Sequence, residues 1–465
     1  MFAKSTYQKR RSQLMKSMGS GVLLFLGNDE QGMNYADNTY AFRQDSSFLY
    51  FFGSDYAGLA AIIDVDENRE IIFGDELTID DIVWTGPQPT IHEKSQLVGI
   101  EETLPMKELK AYLDKASAKG QQIHFLPPYR AAHQIWLQDL LGIRPAEQAA
   151  KASLPFCKAI INQRNHKSAE EIEQIEWSVD LSVEMHKTAM RTVRPGIMES
   201  VVAAAIEEVA YRECCSVSFP TIATINGQTL HNHIHDGILQ DGRMFLLDAG
   251  AENRMHYAGD LTSTMPVGDD FTPRQKDIYN INVAMFRAAT EAIRPGITYL
   301  DVHKKSALAM VNGMKELGLM KGDAQAAVEE GAHALFFVHG LGHMMGLDVH
   351  DMENLGEINV GYLDGEKKDP RFGYKSLRLA RPLEPGFCFT VEPGIYFIPQ
   401  LIDMWRAEGR FKDFINYDLV ESYKDFGGIR NEMDWLVTEN GARRLGNKIK
   451  PLTIEEVLEV KNSNK

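Results

Sequence analysis

The sequence predicts two domains: an α/β domain at the N-terminus and a larger domain of mixed helix and sheet built around an internal repeat. Three observations predict it. Residues 1 to about 150 alternate strand-sized apolar runs, GVLLFLG, LAAIIDV, REIIFG and QIHFL, with amphipathic stretches such as MKELKAYLDKASAKG. After LPFCKAIINQRNHK, residues 154–167, long helical periodicities take over. MHKTAMRTVRPGI at 185–197 then matches MFRAATEAIRPGI at 285–297, one hundred residues later.

The elements of the repeat follow in order. Ser168, three residues before Glu171, forms a capping box, and Ile172, Ile175, Val179 and Val183 recur at helical spacing behind it. That helix runs to about Val193 and stops at Arg194, Pro195 and Gly196. Thr272, with Pro273 at the first helical position and Gln275 at the third, opens a second helix that ends at Arg294, Pro295 and Gly296. Two readings stand here. Either proline and glycine end two unrelated helices, or a helix, turn, helix and sheet unit is duplicated and its halves pack around a shared sheet, with a site where they meet.

At 465 residues and 44% hydrophobic composition the chain has ample material for sizeable cores. Its four cysteines, Cys157, Cys214, Cys215 and Cys388, include no CxxC pair, which points to a reducing, cytoplasmic setting without thiolate zinc. The basic N-terminus lacks the apolar core of a signal peptide, and GVLLFLG is far below the roughly 20 apolar residues of a membrane span. A net charge of −16 argues against phosphate-backbone binding, so neither nucleic acid nor membrane is an expected partner. The excess acid leaves room for carboxylates gathered around cations.

MFLLDAGAENRMHYAGDLTSTMPV reads as a hairpin, and a turn about Arg254 sets Asp248 directly opposite Asp260. Like charges at such a distance repel, so a cation is expected between them; a shared proton is the other solution. FCFTVEPGIYF places Glu392, and GGIRNEMDWLVT places Glu432, between the flanks of buried strands, where an unpaired carboxylate costs several kcal/mol. Four acids and one or two imidazoles suit Mn, Co or Zn, and exceed what one tetrahedral ion accepts. HGLGHMMGLDVHD, 339–351, has the outline of the zincin HExxH, but Gly340 stands after His339, so the general-base glutamate is missing and that reading fails. HNHIHD alternates His231, His233 and His235, which on a strand share one face; His233 and His235 read as hydrogen-bonded fillers.

LLDAG, YAGDLTST, HGLGHMMGLDVHD, TVEPGIYF and GGIRNEMD, in this order, resemble the pita-bread metallopeptidases, and within them aminopeptidase P and prolidase. The likeness covers roughly 165–445, with a fainter match through AFRQDSSFLYFFG and VWTGP. It implies an α/β N-terminal domain over residues 1–160 and an α+β pita-bread catalytic domain over 161–465, with an internal pseudo-twofold repeat. It also implies two divalent ions, Mn first and Co or Zn as alternatives, held by Asp248, Asp260, His343, Glu392 and Glu432. Asp260 and Glu432 would bridge, His343 and Glu392 would complete one ion, and Asp248 the other. The likeness departs in the segment between the two aspartates, one residue longer than usual, in Met345, and in Asn431 and Met433, where Ile or acidic residues are common.

By the same resemblance Glu392 carries the proton, His350 stabilises the tetrahedral intermediate, and His231 and His339 hold substrate. Arg430 orients the site by pairing with Tyr396 or a carboxylate. Arg378 in KSLRLARPLEPG would clamp a substrate carboxylate as in prolidase, and Trp84 would close the pocket of a neighbouring subunit as in bacterial aminopeptidase P. The expected substrate is a peptide with proline at its second position, cut by an Xaa-Pro aminopeptidase acting as a homo-oligomer, a dimer or tetramer. An Xaa-Pro dipeptidase is the alternative. A non-catalytic binding protein on the same scaffold, a methionine aminopeptidase and a creatinase-like amidinohydrolase stand further back. The segment 351–373 reads as a lid or a solvated insertion.

Overall fold

The computed structural model describes residues 1–463. It divides into two compact units, one of Met1–Arg164 with Met352–Gly356, the other of Asn165–Asp351 with the rest of the chain. In the first unit the apolar runs form β1 (Val22–Leu26), β2 (Ala60–Asp64), β3 (Arg69–Phe73), β4 (Glu102–Leu104) and β5 (Ile123–His124), ordered β4-β3-β2-β1-β5 in one sheet. The three central strands are antiparallel and the two outer ones join in parallel. Leu109 and Leu113 of helix Glu108–Ala118 and Leu137 of helix Ala131–Leu141 pack on Val22, Leu24, Ile62 and Phe73. Every residue of β2 is buried, as expected of a strand covered on both faces. In AFRQDSSFLYFFG, Asp45 accepts from the Phe48 amide at 2.9 Å and caps helix Ser46–Phe52.

The second unit carries helices α1 (Ala169–Thr192), α2 (Glu199–Arg212), α3 (Pro273–Ala292) and α4 (Tyr299–Glu316). Its strands are β6 (Ser216–Val217), β7 (Ile222–Thr224), β8 (Met244–Ala249), β9 (Ala251–Glu252), β10 (Leu261–Pro266), β11 (Cys388–Val391), β12 (Gly394–Tyr396), β13 (Gly428–Arg430), β14 (Met433–Thr438) and β15 (Gly441–Arg444). Both expected capping boxes are formed, Ser168 with Glu171 and Thr272 with Gln275. The duplication extends to the hydrogen bonds of the turns. The Gly196 amide donates to Leu239 O at 2.8 Å and Leu239 returns a bond to Ile197 O at 2.8 Å; Gly296 donates to Leu383 O at 2.8 Å and Leu383 to Ile297 O at 2.9 Å. Gly196 and Gly296 both sit at positive φ, 88° and 84°, where a Cβ is strained. A helix that merely happened to end in Arg-Pro-Gly has no reason to reproduce the partner strand as well. The two segments that answer these turns, around 231–239 and 375–383, therefore correspond to each other.

Each half contributes a small antiparallel sheet, β10-β8-β7 and β11-β14-β15, with β12 and β13 paired alongside. A bridge between Thr262 and Glu432 joins them. The expected hairpin forms, but its register differs from the sequence reading: Asp248 lies opposite Thr262, not Asp260. The turn is closed by the Asn253 amide donating to Tyr257 O at 3.1 Å, and the Asn253 side-chain oxygen accepts from Met255 at 2.8 Å and Tyr257 at 3.2 Å. Its centre is thus Met255, one residue beyond Arg254. Moving the centre by one residue moves the register by two, and two residues preserve the face. Asp260 consequently stands diagonal to Asp248 on the same side of the sheet.

His186 of α1 fastens this hairpin from behind. Its Nε2–H donates to Ala249 O at 3.0 Å, so Nδ1 is the acceptor, 2.9 Å from Ser263 Oγ. Full burial, reinforced by Lys450, pushes its pKa down to about 3. The folded value lies below the ordinary 6.5, so this contribution is complete above pH 6.5 and is lost as pH falls toward 3. His186→Gln is expected to lower the urea midpoint at pH 7.5 and to flatten its decline between pH 6.5 and 4.5; an unchanged slope refutes the assignment.

Candidate metal centre

Four carboxylates and one imidazole converge where the two halves of the second unit meet. Asp248 is the penultimate residue of β8, Asp260 precedes β10, Glu392 occupies the turn between β11 and β12, and Glu432 lies between β13 and β14. His343 belongs to an irregular segment laid along β11, where His343 O accepts from the Thr390 amide at 3.0 Å. Gly342 permits this approach, since a Cβ there would meet Thr390 O at 2.1 Å. His343 Nε2 stands 3.4 Å from Asp260 Oδ2 and 3.7 Å from Glu392 Oε1. Ligand atoms of Asp260, His343 and Glu432 all fall within 4.8 Å of one another, and all three residues are buried. These side chains line one cavity of about 220 Å³.

Such a cluster does not hold its charge unaided. Burial first, and the neighbouring carboxylate of Asp248 second, push the Asp260 pKa up to about 8. Burial also raises Glu392 to about 8 against the opposing Arg430, and carries Glu432 well above the carboxylate range with Asp260 and Glu392 adding to it. Arg430 brings a positive charge into the cluster, donating from Nη2 to Asp248 Oδ2 at 2.5 Å, from Nη1 to Tyr396 Oη at 2.7 Å and from Nε to Thr262 Oγ1 at 3.1 Å. Thr262 passes the contact on, donating to Glu432 Oε2 at 2.6 Å. Asp248 Oδ1 remains buried with no hydrogen-bond partner. Oxygen-rich donors of this kind, with one imidazole, fit hard or borderline divalent ions.

The tautomers sort the histidines. His343 Nδ1 is 3.1 Å from Met344 O, an acceptor, so Nδ1 carries the proton and the Nε2 lone pair faces the carboxylates. His339 is arranged otherwise: Nδ1 donates to Gly340 O at 2.7 Å and Nε2 accepts from Tyr396 Oη at 2.8 Å. Both lone-pair and proton are spent inside the protein, and burial with Arg430 nearby lowers its pKa to about 3, which keeps it neutral. His350 packs edge to face on His343 with ring centroids 4.1 Å apart. The strand expected for HNHIHD does not form: 231–236 has no ladder partner and runs as an irregular segment. His231 and His233 line the cavity there, whereas His235 Nε2 bonds Thr221 O at 3.0 Å. The reason is the repeat, because this segment's hydrogen bonds go to the first residues of α2, Glu199 donating to Gly237 O at 2.8 Å and Ser200 to His235 O at 3.1 Å.

Residues 173–439 match Metallopeptidase family M24, more than half of the chain. The chain belongs to this family. Residues 7–124 of this M24 metallopeptidase also match the aminopeptidase P N-terminal domain. It is 29% identical to the Xaa-Pro aminopeptidase of Escherichia coli strain K12, covering 98% of both chains. It is likewise 29% identical to the human Xaa-Pro dipeptidase, with 94% of this chain and 88% of the relative covered. Among solved structures it superimposes on a zinc-substituted E. coli aminopeptidase P in complex with product at a TM-score of 0.82, 26% identity and coverage of 100% and 99%. The proline aminopeptidase P II of Yersinia pestis gives 0.81 at 26% identity, with 100% of each chain covered. Family membership makes the chain a hydrolase that binds divalent metal.

Within this M24 metallopeptidase the remaining sequence-named residues fall into three groups. Arg378, His231, His339, His350 and Arg430 line the cavity beside the carboxylates. Tyr396 is buried behind it, joined to Arg430 and His339. Trp84 lies in the first unit on helix Ile79–Thr85 and is 86% exposed. Sequence reasoning passed over Thr262 and Asp434, whose Oδ2 accepts from the Asp260 amide at 3.0 Å. Each stands two positions after a named acid, on the same strand face, and that alternation was the available signal. Phe219 and Pro220, which form an apolar wall of the cavity, carry no motif at all. In the segment 351–373, Met352–Gly356 belongs to the first unit, Glu357–Gly361 is a short helix, and 363–371 is irregular and largely exposed.

Proposed function

We propose that the chain is an Xaa-Pro aminopeptidase that works with two divalent ions, Mn by preference, held by Asp248, Asp260, His343, Glu392 and Glu432. The observation that carries this reading is the convergence of those five ligands, four buried and Glu392 half-buried, on one cavity, in a chain matched over 98% of its length by an Xaa-Pro aminopeptidase. Four carboxylates exceed the needs of one tetrahedral ion, which supports two. When bound, such ions act as Lewis acids and make water nucleophilic at neutral pH.

The residues of the chain do the rest. Glu392, at the cavity wall, accepts the proton of the attacking water and returns it to the proline nitrogen as the peptide bond breaks. His350 donates to the oxyanion that develops on the scissile carbonyl. His231 and His339 hold the peptide. For His339 this means exchanging the Gly340 carbonyl at Nδ1 for a substrate acceptor, while Tyr396 keeps the ring in place from behind. Arg430 fixes the orientation of Asp248 through its Nη2 contact. The four cysteines are free and suit a cytoplasmic enzyme. A homo-oligomer, dimer or tetramer, in which Trp84 of one subunit closes the cavity of the next, accords with the exposure of that side chain. Among the described residues no helix is long and apolar enough to cross a membrane.

One observation favours a second reading. Arg378 lines the cavity, its Nε 3.9 Å from Glu357 Oε2, and its guanidinium suits the terminal carboxylate of a dipeptide. Rates on an Xaa-Pro dipeptide and an Xaa-Pro-Xaa tripeptide separate the two. The tripeptide is expected to be cut with at least tenfold higher kcat/KM, a margin of about 1.4 kcal/mol in the barrier. Faster cleavage of the dipeptide makes the chain a prolidase instead. A chain that binds less than one ion and stays inactive after Mn addition is a binding protein.

A further inference from the structure

Helix α3 presents a buried row to the sheet, Ile278, Asn282, Met285 and Phe286, in which one member is polar. Asn282 is wholly buried, and so is the residue it meets, Asn431. Asn282 Nδ2 donates to Pro393 O at 2.7 Å, and since that carbonyl only accepts, the amide orientation is fixed. Asn282 Oδ1 must then accept, and it does so from Asn431 Nδ2 at 2.9 Å. Asn431 Oδ1 is left to accept from Tyr279 Oη at 3.4 Å, a hydroxyl that also reaches Leu452 O at 3.1 Å. The Asn431 amide points to the same Pro393 carbonyl, at 3.4 Å.

The places these bonds touch are not arbitrary. Pro393 follows Glu392, and Asn431 precedes Glu432. One side chain on a helix therefore grips the carbonyl of the residue after one candidate ligand and the side-chain amide of the residue before another. Those two residues flank one end of a strand pair only three residues long on each side, Gly394–Tyr396 with Gly428–Arg430, too short to fix the spacing of the acids beyond its end. Two buried amides are an expensive way to fill space that leucine and isoleucine fill without polar atoms.

We propose that Asn282 and Asn431 are positioning residues that hold Glu392 and Glu432 at the separation required to share divalent ions. The proposal rests on the two-ion reading above. A clamp of this kind acts on the metal through the backbone, so its removal changes ion affinity rather than peptide affinity.

The test uses the full chain stripped of metal and titrated with Mn²⁺ by calorimetry, alongside its melting temperature and its kinetics on an Xaa-Pro-Xaa tripeptide. Asn282→Leu and Asn431→Ile are each expected to weaken the looser Mn²⁺ site about tenfold or more and to lower kcat by a similar factor, with KM within about twofold. Each single variant strands a polar partner and also lowers the melting temperature. Combining the two replaces both amides by apolar groups, and the double variant is expected to regain the melting temperature but not the Mn²⁺ affinity. Isosteric Asn282→Asp, which sets an acceptor against Pro393 O, gives the same loss of affinity should the leucine variant not fold. The proposal is overturned if Mn²⁺ affinities stay at the wild-type value, or if affinity returns together with the melting temperature in the double variant. Loss of Mn²⁺ affinity in variants of a protein that cuts no Xaa-Pro peptide leaves the clamp standing and removes the peptidase reading.

Discussion

Glu392→Ala is expected to lower kcat/KM on an Xaa-Pro-Xaa peptide by about 10³-fold or more, in a protein whose fold is intact. Two losses combine. The proton carrier is removed, an effect usually worth 10²–10⁴ in rate, and one metal ligand goes with it. Folding survives because the site is a burden on stability. Glu392 is a half-buried carboxyl pushed up to about 8 by desolvation and by its acidic neighbours, and alanine relieves that strain. The melting temperature of the metal-free variant should therefore equal or exceed that of the metal-free parent. Glu392→Gln separates the two losses, since it keeps shape and one oxygen ligand but cannot shuttle a proton. It is expected to retain at least one Mn²⁺ per chain by metal analysis and still lose about 10²-fold or more in kcat. Turnover within tenfold of the parent in either variant would falsify the role given to Glu392.

The repeat was legible because its punctuation is local. Ser168 with Glu171, Thr272 with Gln275 and the two Arg-Pro-Gly stops act within one helical turn, so the residues that dictate them sit side by side in the sequence. The acids were legible for a different reason: charge between strand-like flanks contradicts burial, and that conflict marks a site. What could not be read was set by tertiary contact. The Asn253 side chain recentres the hairpin on Met255, and nothing in AENRM distinguishes that turn from one about Arg254. HNHIHD alternates as a strand does, yet its backbone is claimed by the first turn of α2, a partner more than thirty residues away. Nothing in the sequence around Asn282 names its partner. Only the folded chain shows which carbonyl it meets.

Single replacements of the three histidines in HGLGHMMGLDVHD should give three different phenotypes, and the differences follow from where each ring nitrogen points. His343→Ala removes the imidazole whose Nε2 stands 3.4 Å from Asp260 and 3.7 Å from Glu392. Expected are loss of one bound ion, and a kcat/KM reduced by about 10²-fold or more that excess Mn²⁺ only partly restores. His350→Ala leaves every candidate ligand in place; ion content should match the parent while kcat falls by about 10²–10³-fold, the usual cost of one oxyanion donor, with KM little changed. His339→Ala takes away a neutral ring braced by Tyr396 at 2.8 Å, and Tyr396 shares its hydroxyl with Arg430. Its loss should raise KM more than it lowers kcat, with full ion content. Metal analysis beside the kinetics decides each case. If His339→Ala sheds an ion while His343→Ala keeps both, the tautomers have been assigned the wrong way round, and His339 rather than His343 is the imidazole ligand.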